Sequence, residues 1–145
     1  MKRFYVLATL AAVCLLSACD KFNDFFDHGN NGNTLNATDK MFMTKVAIGN
    51  TAEIQAGALA ASKATDPAVK SFGQAMVVEH TQAQKDLKAV GAKVNFPVAD
   101  TVDPAHKALI MTLSSLSGRA FDSAYIHSQV RDHEMTYAIF QQDLN

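Results

Sequence analysis

The 145-residue sequence lacks the residues on which several classes of protein depend. Cysteine occurs only at Cys14 and Cys19, so the rest of the chain offers no thiol for a disulfide, a redox motif or a cysteine metal site. The 13 basic and 14 acidic side chains form no basic cluster, which argues against a nucleic acid partner. A glycine-rich phosphate loop, a nucleophile elbow and a Cys/His pair are also missing, so an enzyme is the less favoured class.

The amino terminus has the pattern of an export signal. Lys2 and Arg3 give it a positive start, and residues 4–16 form an apolar run of about 13 residues. A membrane-spanning helix needs about 20, so a transmembrane anchor is the weaker interpretation. The end of the run, LSAC, resembles a bacterial lipobox, which predicts cleavage before Cys19 and attachment of lipid there. The alternative is an ordinary signal peptide with an accidental cysteine.

This pattern predicts three segments: a signal peptide (1–18), a lipidated Cys19 with an asparagine- and glycine-rich tether (19–38), and one domain (39–145). The lipid would hold the domain on a membrane, facing the periplasm of a bacterial cell envelope. Whether that membrane is the inner or the outer one is left open.

The domain is predicted to be all-α, because strand-like alternation is almost absent and alanine is abundant. Two Asp-Pro pairs, at Asp66 and Asp103, are typical of an N-cap followed by proline in the first turn. Gly91 is expected to close the second helix, and a break is expected near Gly118. The predicted helices are 39–64, 67–90 and 104–144.

Each predicted helix places ionisable groups on a face that is otherwise apolar. Glu53 falls on the inner face of the first helix, His80 on that of the second, and Asp122 and His133 on that of the third. Unpaired buried charges are costly, so these groups should meet each other or share a ligand. Two imidazoles and two carboxylates suit a divalent transition metal such as Zn, Fe or Mn.

Two other interpretations stay open: a polar network without any ion, or one or more groups facing water. A di-iron enzyme of the usual pattern is disfavoured, because such bundles carry Glu-x-x-His on two helices. Val77 and Val130 stand three residues before His80 and His133, and neither can bind a metal.

The segments AIGNTAEIQAGALAASKATDPAVKSFGQAMVVEHTQAQKDL and LSSLSGRAFDSAYIHSQVRDHEMTYAIFQQD resemble the exported bacterial family called domain of unknown function 4142. Its members are often labelled putative outer membrane proteins and are grouped with ferritin-like bundles. The resemblance covers roughly residues 39–145. It places the family's polar positions on Glu53, Glu79-His80, Phe121-Asp122-x-x-Tyr125 and Asp132-His133. It therefore implies a ferritin-like up-down bundle, and no activity follows from it.

Similar proteins continue into a further helix, whereas this sequence stops at Asn145. The expectation is an incomplete bundle with an apolar groove, which favours self-association. The leading functional prediction is a lipid-anchored binding or interaction module of the cell envelope. The alternatives are a metal-binding protein that uses Glu53, His80, Asp122 and His133, and a purely structural envelope protein.

Overall fold

A computed structural model describes residues 35–143, with side chains to residue 141. Within these residues the chain forms a bundle of four α-helices without strands, which confirms the predicted all-α class. The helices are α1 (Ala37–Lys63), α2 (Pro67–Lys93), α3 (Pro104–Ser115) and α4 (Gly118–Asp143). The predicted signal peptide, Cys19 and most of the tether lie outside the described residues. None of the described helices is both long and apolar enough to cross a membrane.

Side-chain caps explain where three of the helices begin. Asn36 opens α1 with a capping box: its Oδ1 accepts from the Asp39 backbone N–H at 2.9 Å, and Asp39 Oδ2 accepts from the Asn36 N–H at 3.1 Å. Asp66 caps α2 by accepting from the Ala68 N–H at 2.7 Å, and Asp103 caps α3 by accepting from the His106 N–H at 2.8 Å. The two caps predicted from the Asp-Pro pairs are therefore confirmed.

Glycine lets α1 and α2 pack backbone against backbone. A Cβ on Gly73 would lie 2.6 Å from the Ala60 Cβ and 2.8 Å from the Gly57 carbonyl oxygen. A Cβ on Gly57 would lie 2.8 Å from the Gly73 carbonyl oxygen. The two helices can approach this closely only because neither position carries a side chain. This hairpin is the most extensive helix–helix contact of the described bundle.

The fourth helix runs antiparallel to α1. At one end the rings of Phe42 and Phe140 meet edge to face, with centroids 5.1 Å apart. At the other end Phe121 and Tyr125 are fully buried and stack at 6.1 Å. The main apolar cluster lies at this second end and combines all four helices: Ala56, Ala60, Val69, Leu113, Phe121 and Tyr125.

The second helix does not end at Gly91, so that prediction is wrong. The helix continues to Lys93, and Asn95 makes the reversal with a positive φ of 54°. Gly91 is needed for a different reason: a Cβ there would lie 2.5 Å from the Phe96 carbonyl oxygen. The connection from residue 94 to residue 103 folds back over Gly91, and the Phe96 N–H donates to the Gly91 carbonyl oxygen at 2.8 Å.

The predicted break near Gly118 is confirmed. Helix α3 ends at Ser115, and Gly118 starts α4 with a φ of 58°, which glycine adopts without strain. Lys63 satisfies the carboxyl end of α3, because its Nζ donates to the carbonyl oxygens of Leu113 (3.3 Å) and Ser114. A charged residue in the last turn of α1 thereby fixes the position of α3.

Candidate functional site

Polar side chains from three helices meet in the interior of the bundle. We call this set the interior polar cluster; its members are Glu53, His80, Tyr125, Gln129 and His133. Glu53 lies on α1 and His80 on α2, while the other three follow one another at every fourth position of α4. The rings of His80 and His133 meet edge to face with centroids 6.2 Å apart. Three of the four residues predicted as metal ligands are therefore in this cluster.

Glu53 is the acidic member of the cluster, with 7 % of its surface exposed. Burial raises the pKa of its carboxyl group, since a charged carboxylate loses its hydration there. His133 and Gln129 oppose this rise and Asp132 adds to it. The Gln129 amide lies beside the carboxylate, but no hydrogen bond of normal geometry joins them. Burial is the largest of these effects, so the pKa of Glu53 lies above that of an exposed glutamate.

His80 is the member contributed by α2, with 8 % of its surface exposed. Burial, and then the neighbouring His133, lower the pKa of its ring from 6.5 to about 4. The ring is thus neutral at pH 7. Its Nδ1 lies 3.0 Å from Asn50 Oδ1, whereas its Nε2 is buried without a hydrogen-bond partner among the described residues.

Several more buried polar atoms of the cluster have no protein partner in the described part of the chain. They are Glu53 Oε2, Tyr125 OH, Gln129 Oε1 and Gln129 Nε2. Burial and the nearby Glu53 raise the pKa of Tyr125, so its hydroxyl keeps its proton. Buried polar atoms in proteins are normally hydrogen-bonded, and leaving one unpaired costs about 1–3 kcal/mol. The cluster has the chemistry of a site that takes up water or a small polar ligand.

Two further residues lie near Glu53, and neither is among the four predicted metal ligands. His106, in the first turn of α3, acts on the pKa of Glu53 while its Nδ1 pairs with Asp103 Oδ1 at 2.7 Å. Asp132, on α4, has a side chain only 12 % exposed and pairs with Arg131. The helical spacing of α4 could have indicated Asp132, which neighbours His133. Nothing in the sequence indicated that His106, on α3, would lie near enough to Glu53 to act on its pKa.

Asp122 occupies a different place from the one predicted. Its Oδ2 accepts from Thr65 Oγ1 at 2.5 Å and from the Asp66 N–H at 2.9 Å, and its Oδ1 accepts from the Thr65 N–H at 3.1 Å. These hydrogen bonds lower the pKa of Asp122 by stabilising its charged form. The carboxylate fastens α4 to the turn between α1 and α2, so it is not available beside Glu53 as predicted.

The predicted four-residue metal site is therefore not assembled. Among residues 35–143, no group of three or more His, Cys, Asp or Glu side chains is placed to hold a metal ion. Glu53, His80 and His133 share the interior without converging on a coordination geometry. Zn, Fe or Mn binding stays a prediction.

The fold and the interior polar cluster together define the structural class of the protein, which is an all-α helical bundle with a buried polar site built from separate helices. The sequence profile of the family described as "Domain of unknown function (DUF4142)" matches residues 27–145. The chain belongs to that family, as its motifs predicted. No curated protein and no solved structure matches the chain.

Proposed function

We propose that this protein is a lipid-anchored binding module of the bacterial cell envelope, and that the interior polar cluster is its ligand site. The observation that carries the proposal is the set of partnerless polar atoms that three helices bring together: Glu53 Oε2, His80 Nε2, Tyr125 OH and the Gln129 amide. A bundle that needed only to fold would be at least as stable with apolar side chains at such positions. The buried amide and hydroxyl groups favour a small polar ligand over an apolar one.

Mass spectrometry under non-denaturing conditions tests the ligand site. The protein is isolated from its native host with wild-type Gln129, as Gln129→Leu, and as the control Gln82→Leu, which alters an exposed glutamine of α2. We expect a mass above that of the chain and its lipid in the wild type and the control, and its loss in Gln129→Leu. A wild-type mass that equals chain plus lipid would contradict the proposal.

The anchor is supported by the lipobox-like LSAC sequence before the tether. Labelling growing cells with radioactive palmitate tests it, and the chain offers a matched control. Cys19→Ser should abolish incorporation, while Cys14→Ser, inside the predicted signal peptide, should leave it intact. Equal labelling of both variants would rule out Cys19 as the lipidated residue.

Transition-metal binding is a second candidate, favoured by the orientation of the two imidazoles. His80 Nδ1 faces Asn50 Oδ1, and His133 Nδ1 lies 2.8 Å from the Gln129 carbonyl oxygen. Metal-binding histidines commonly use one ring nitrogen in this way and bind the ion with the other. Elemental analysis of protein purified without added metal tests the idea, with His80→Ala and His133→Ala as variants. The exposed His127→Ala is the control, and metal content unchanged in all three would refute this candidate.

Self-association is a separate proposal about partners. Six large apolar side chains are exposed on the described helices: Met41, Val78, Met111, Val130, Met135 and Tyr137. Light scattering over a hundredfold range of concentration tests it, and a constant monomer mass would contradict it.

A further inference from the structure

A chain of hydrogen bonds links the connection between α2 and α3 to the interior polar cluster. Gln84 Nε2 donates to the Asp100 carboxylate at 2.9 Å and to the Ala99 carbonyl oxygen at 3.3 Å. Gln84 Oε1 accepts from Asn50 Nδ2 at 3.2 Å, and Asn50 Oδ1 lies 3.0 Å from His80 Nδ1. We call Gln84 and Asn50 the amide relay. Both side chains are buried, whereas Asp100 at the outer end of the relay is exposed.

The outer end of the amide relay fixes the direction of every bond in it. A backbone carbonyl oxygen can only accept, and so can an ionised carboxylate. Gln84 must therefore turn its NH₂ group toward Ala99 and Asp100, which leaves its carbonyl oxygen facing Asn50. Asn50 must then present its own NH₂ group to Gln84 and its oxygen to His80.

The opposite arrangement is excluded by the same argument. If Asn50 turned its NH₂ group toward His80, its oxygen would face Gln84. Gln84 would then have to reverse as well, and its oxygen would face two acceptors, Ala99 and Asp100. The exposed Lys88 adds to the preference, because its Nζ pairs with Asp100 Oδ2 at 2.5 Å and keeps the carboxylate ionised.

The orientation of the Asn50 amide determines which ring nitrogen of His80 carries the proton. A neutral imidazole carries its proton on one nitrogen and a lone pair on the other, and the hydrogen bond at one nitrogen decides which. Since Asn50 presents an acceptor, Nδ1 must carry the proton. The lone pair is then on Nε2, which is buried in the interior polar cluster without a protein donor.

We propose that Asn50 and Gln84 are positioning residues that hold His80 in the Nδ1–H form, so that the interior polar cluster offers a bare nitrogen lone pair to its ligand. This inference rests on the proposed function only for the existence of a ligand. The tautomer of His80 adds the chemistry of that ligand: at Nε2 the site takes an electron-pair acceptor, either a hydrogen-bond donor or a metal cation. An anion without a proton to donate cannot bind at this nitrogen, because it would place a second lone pair against the first.

Nuclear magnetic resonance of the full protein labelled with ¹⁵N-histidine at pH 7 tests the relay directly. Long-range ¹H–¹⁵N spectra separate protonated from bare ring nitrogens, and the spin system lost in His80→Asn identifies His80. We expect a single Nδ1–H form for His80. An Nε2–H form, or rapid exchange between the two forms, would overturn the proposal before any variant is compared.

Two matched variants test whether the relay sets this form. Gln84→Leu removes the fixed end, so Asn50 becomes free to flip and His80 should show a mixture of both tautomers. Gln82→Leu, at an exposed position of the same helix, should leave the single form unchanged. A pure Nδ1–H form in folded Gln84→Leu would overturn the relay. Asn50→Asp is the second test, since it retains the acceptor and should restore the single form even in the Gln84→Leu background.

Zn²⁺ and sulfate, an anion without a proton to donate at pH 7, are the probes for the ligand's chemistry. Zn²⁺ should move the Nε2 resonance of His80 far more than the Nδ1 resonance, and sulfate should move neither. A shift of Nδ1 larger than that of Nε2 with Zn²⁺, or a response to sulfate, would overturn the inferred ligand class, and no response to Zn²⁺ would overturn its metal alternative alone. The failures are distinguishable: a wrong tautomer refutes the relay, whereas a missing co-purified mass refutes the proposed function.

Discussion

The close contact between α1 and α2 gives a sharp test of the fold, because two glycines of the chain should respond to alanine in opposite directions. Gly73 faces α1, where an added Cβ would lie 2.6 Å from the Ala60 Cβ, 2.8 Å from the Gly57 carbonyl oxygen and 2.9 Å from the Ala61 backbone nitrogen. Gly49 is also inside a helix, but a Cβ there meets nothing within 4 Å. The two substitutions therefore share their chemistry and differ only in the space around them.

The magnitude for Gly73→Ala follows from two opposing contributions. Replacing glycine with alanine inside a helix stabilises it by about 0.5–1 kcal/mol. Forcing an extra group into a packed interface costs about 1–3 kcal/mol. Two of the three contacts are to backbone atoms, which cannot move alone, so the upper end of that range applies. The net expectation is a loss of about 2 kcal/mol in the free energy of unfolding, or about 8 °C in Tm for a domain of roughly this size.

Thermal unfolding followed by circular dichroism is the assay, with Gly49→Ala as the control. Gly49→Ala should raise Tm slightly, since it gains helix propensity without a clash. The difference in Tm between the two variants is the decisive quantity. Both substitutions replace glycine with alanine, so their effects on the conformational entropy of the unfolded chain cancel in that difference. If Gly73→Ala were as stable as Gly49→Ala, the packing of the hairpin described above would be refuted.

Three further predictions concern the polar groups. Asp122→Ala should lower the urea midpoint of unfolding, because the Thr65 hydroxyl and two backbone N–H groups lose their acceptor; an unchanged midpoint would refute the fastening role. Between pH 6.5 and about 4 the unfolded chain binds a proton at His80 that the folded chain does not bind. The free energy of unfolding should therefore decrease as the pH is lowered through this range, by up to about 3 kcal/mol. Subtracting the pH dependence of the free energy of unfolding of His80→Asn from that of the wild type removes the contribution of Glu53. A difference that does not change with pH would show that the folded protein does not keep His80 buried in its neutral form. Tyr125→Phe should cost about 1–2 kcal/mol in urea unfolding if its hydroxyl is hydrogen-bonded to an occupant of the cluster, and a neutral or stabilising effect would argue against an occupant.

The helix boundaries that were predicted best are those set by local chemistry. Asp66 and Asp103 cap their helices as expected, since an aspartate before proline satisfies an N–H group within the next three residues, whatever the rest of the fold does. The break at Gly118 was predictable for the same reason. Gly91 was not, because its small size serves a contact with Phe96 that only the folded connection creates.

The candidate site was predicted only in part, because helical periodicity gives the direction of a side chain and not its neighbour. Glu53, His80 and His133 point inward as the spacing indicated. Asp122 points inward too, but it lies at the level of the α1–α2 turn, where backbone donors take its carboxylate. The height of a residue along the bundle depends on how the helices are set against each other, which one sequence does not reveal.

Asn50 shows a second limit of the sequence. The apolar stripe predicts one inner face for α1, yet the helix is buried on two, one against α2 and one against α4. Asn50 belongs to the face toward α2, where it meets Gln84 and His80. An asparagine beside a glycine in the sequence suggests a turn of the chain. Only the structure shows that Asn50 is buried inside α1 and forms its hydrogen bonds in the core.

The energy of the interior polar cluster links its occupancy to the stability of the whole bundle. Five of its buried atoms, belonging to Glu53, His80, Tyr125 and Gln129, have no partner among the described residues. At about 1–3 kcal/mol each, unsatisfied atoms would together cost about 5–15 kcal/mol, which equals the entire stability of a typical domain. A folded bundle therefore requires that most of these atoms be hydrogen-bonded in solution. Whatever satisfies them, water or ligand, is part of the folding equilibrium, and a ligand that binds better than water must raise Tm with its concentration.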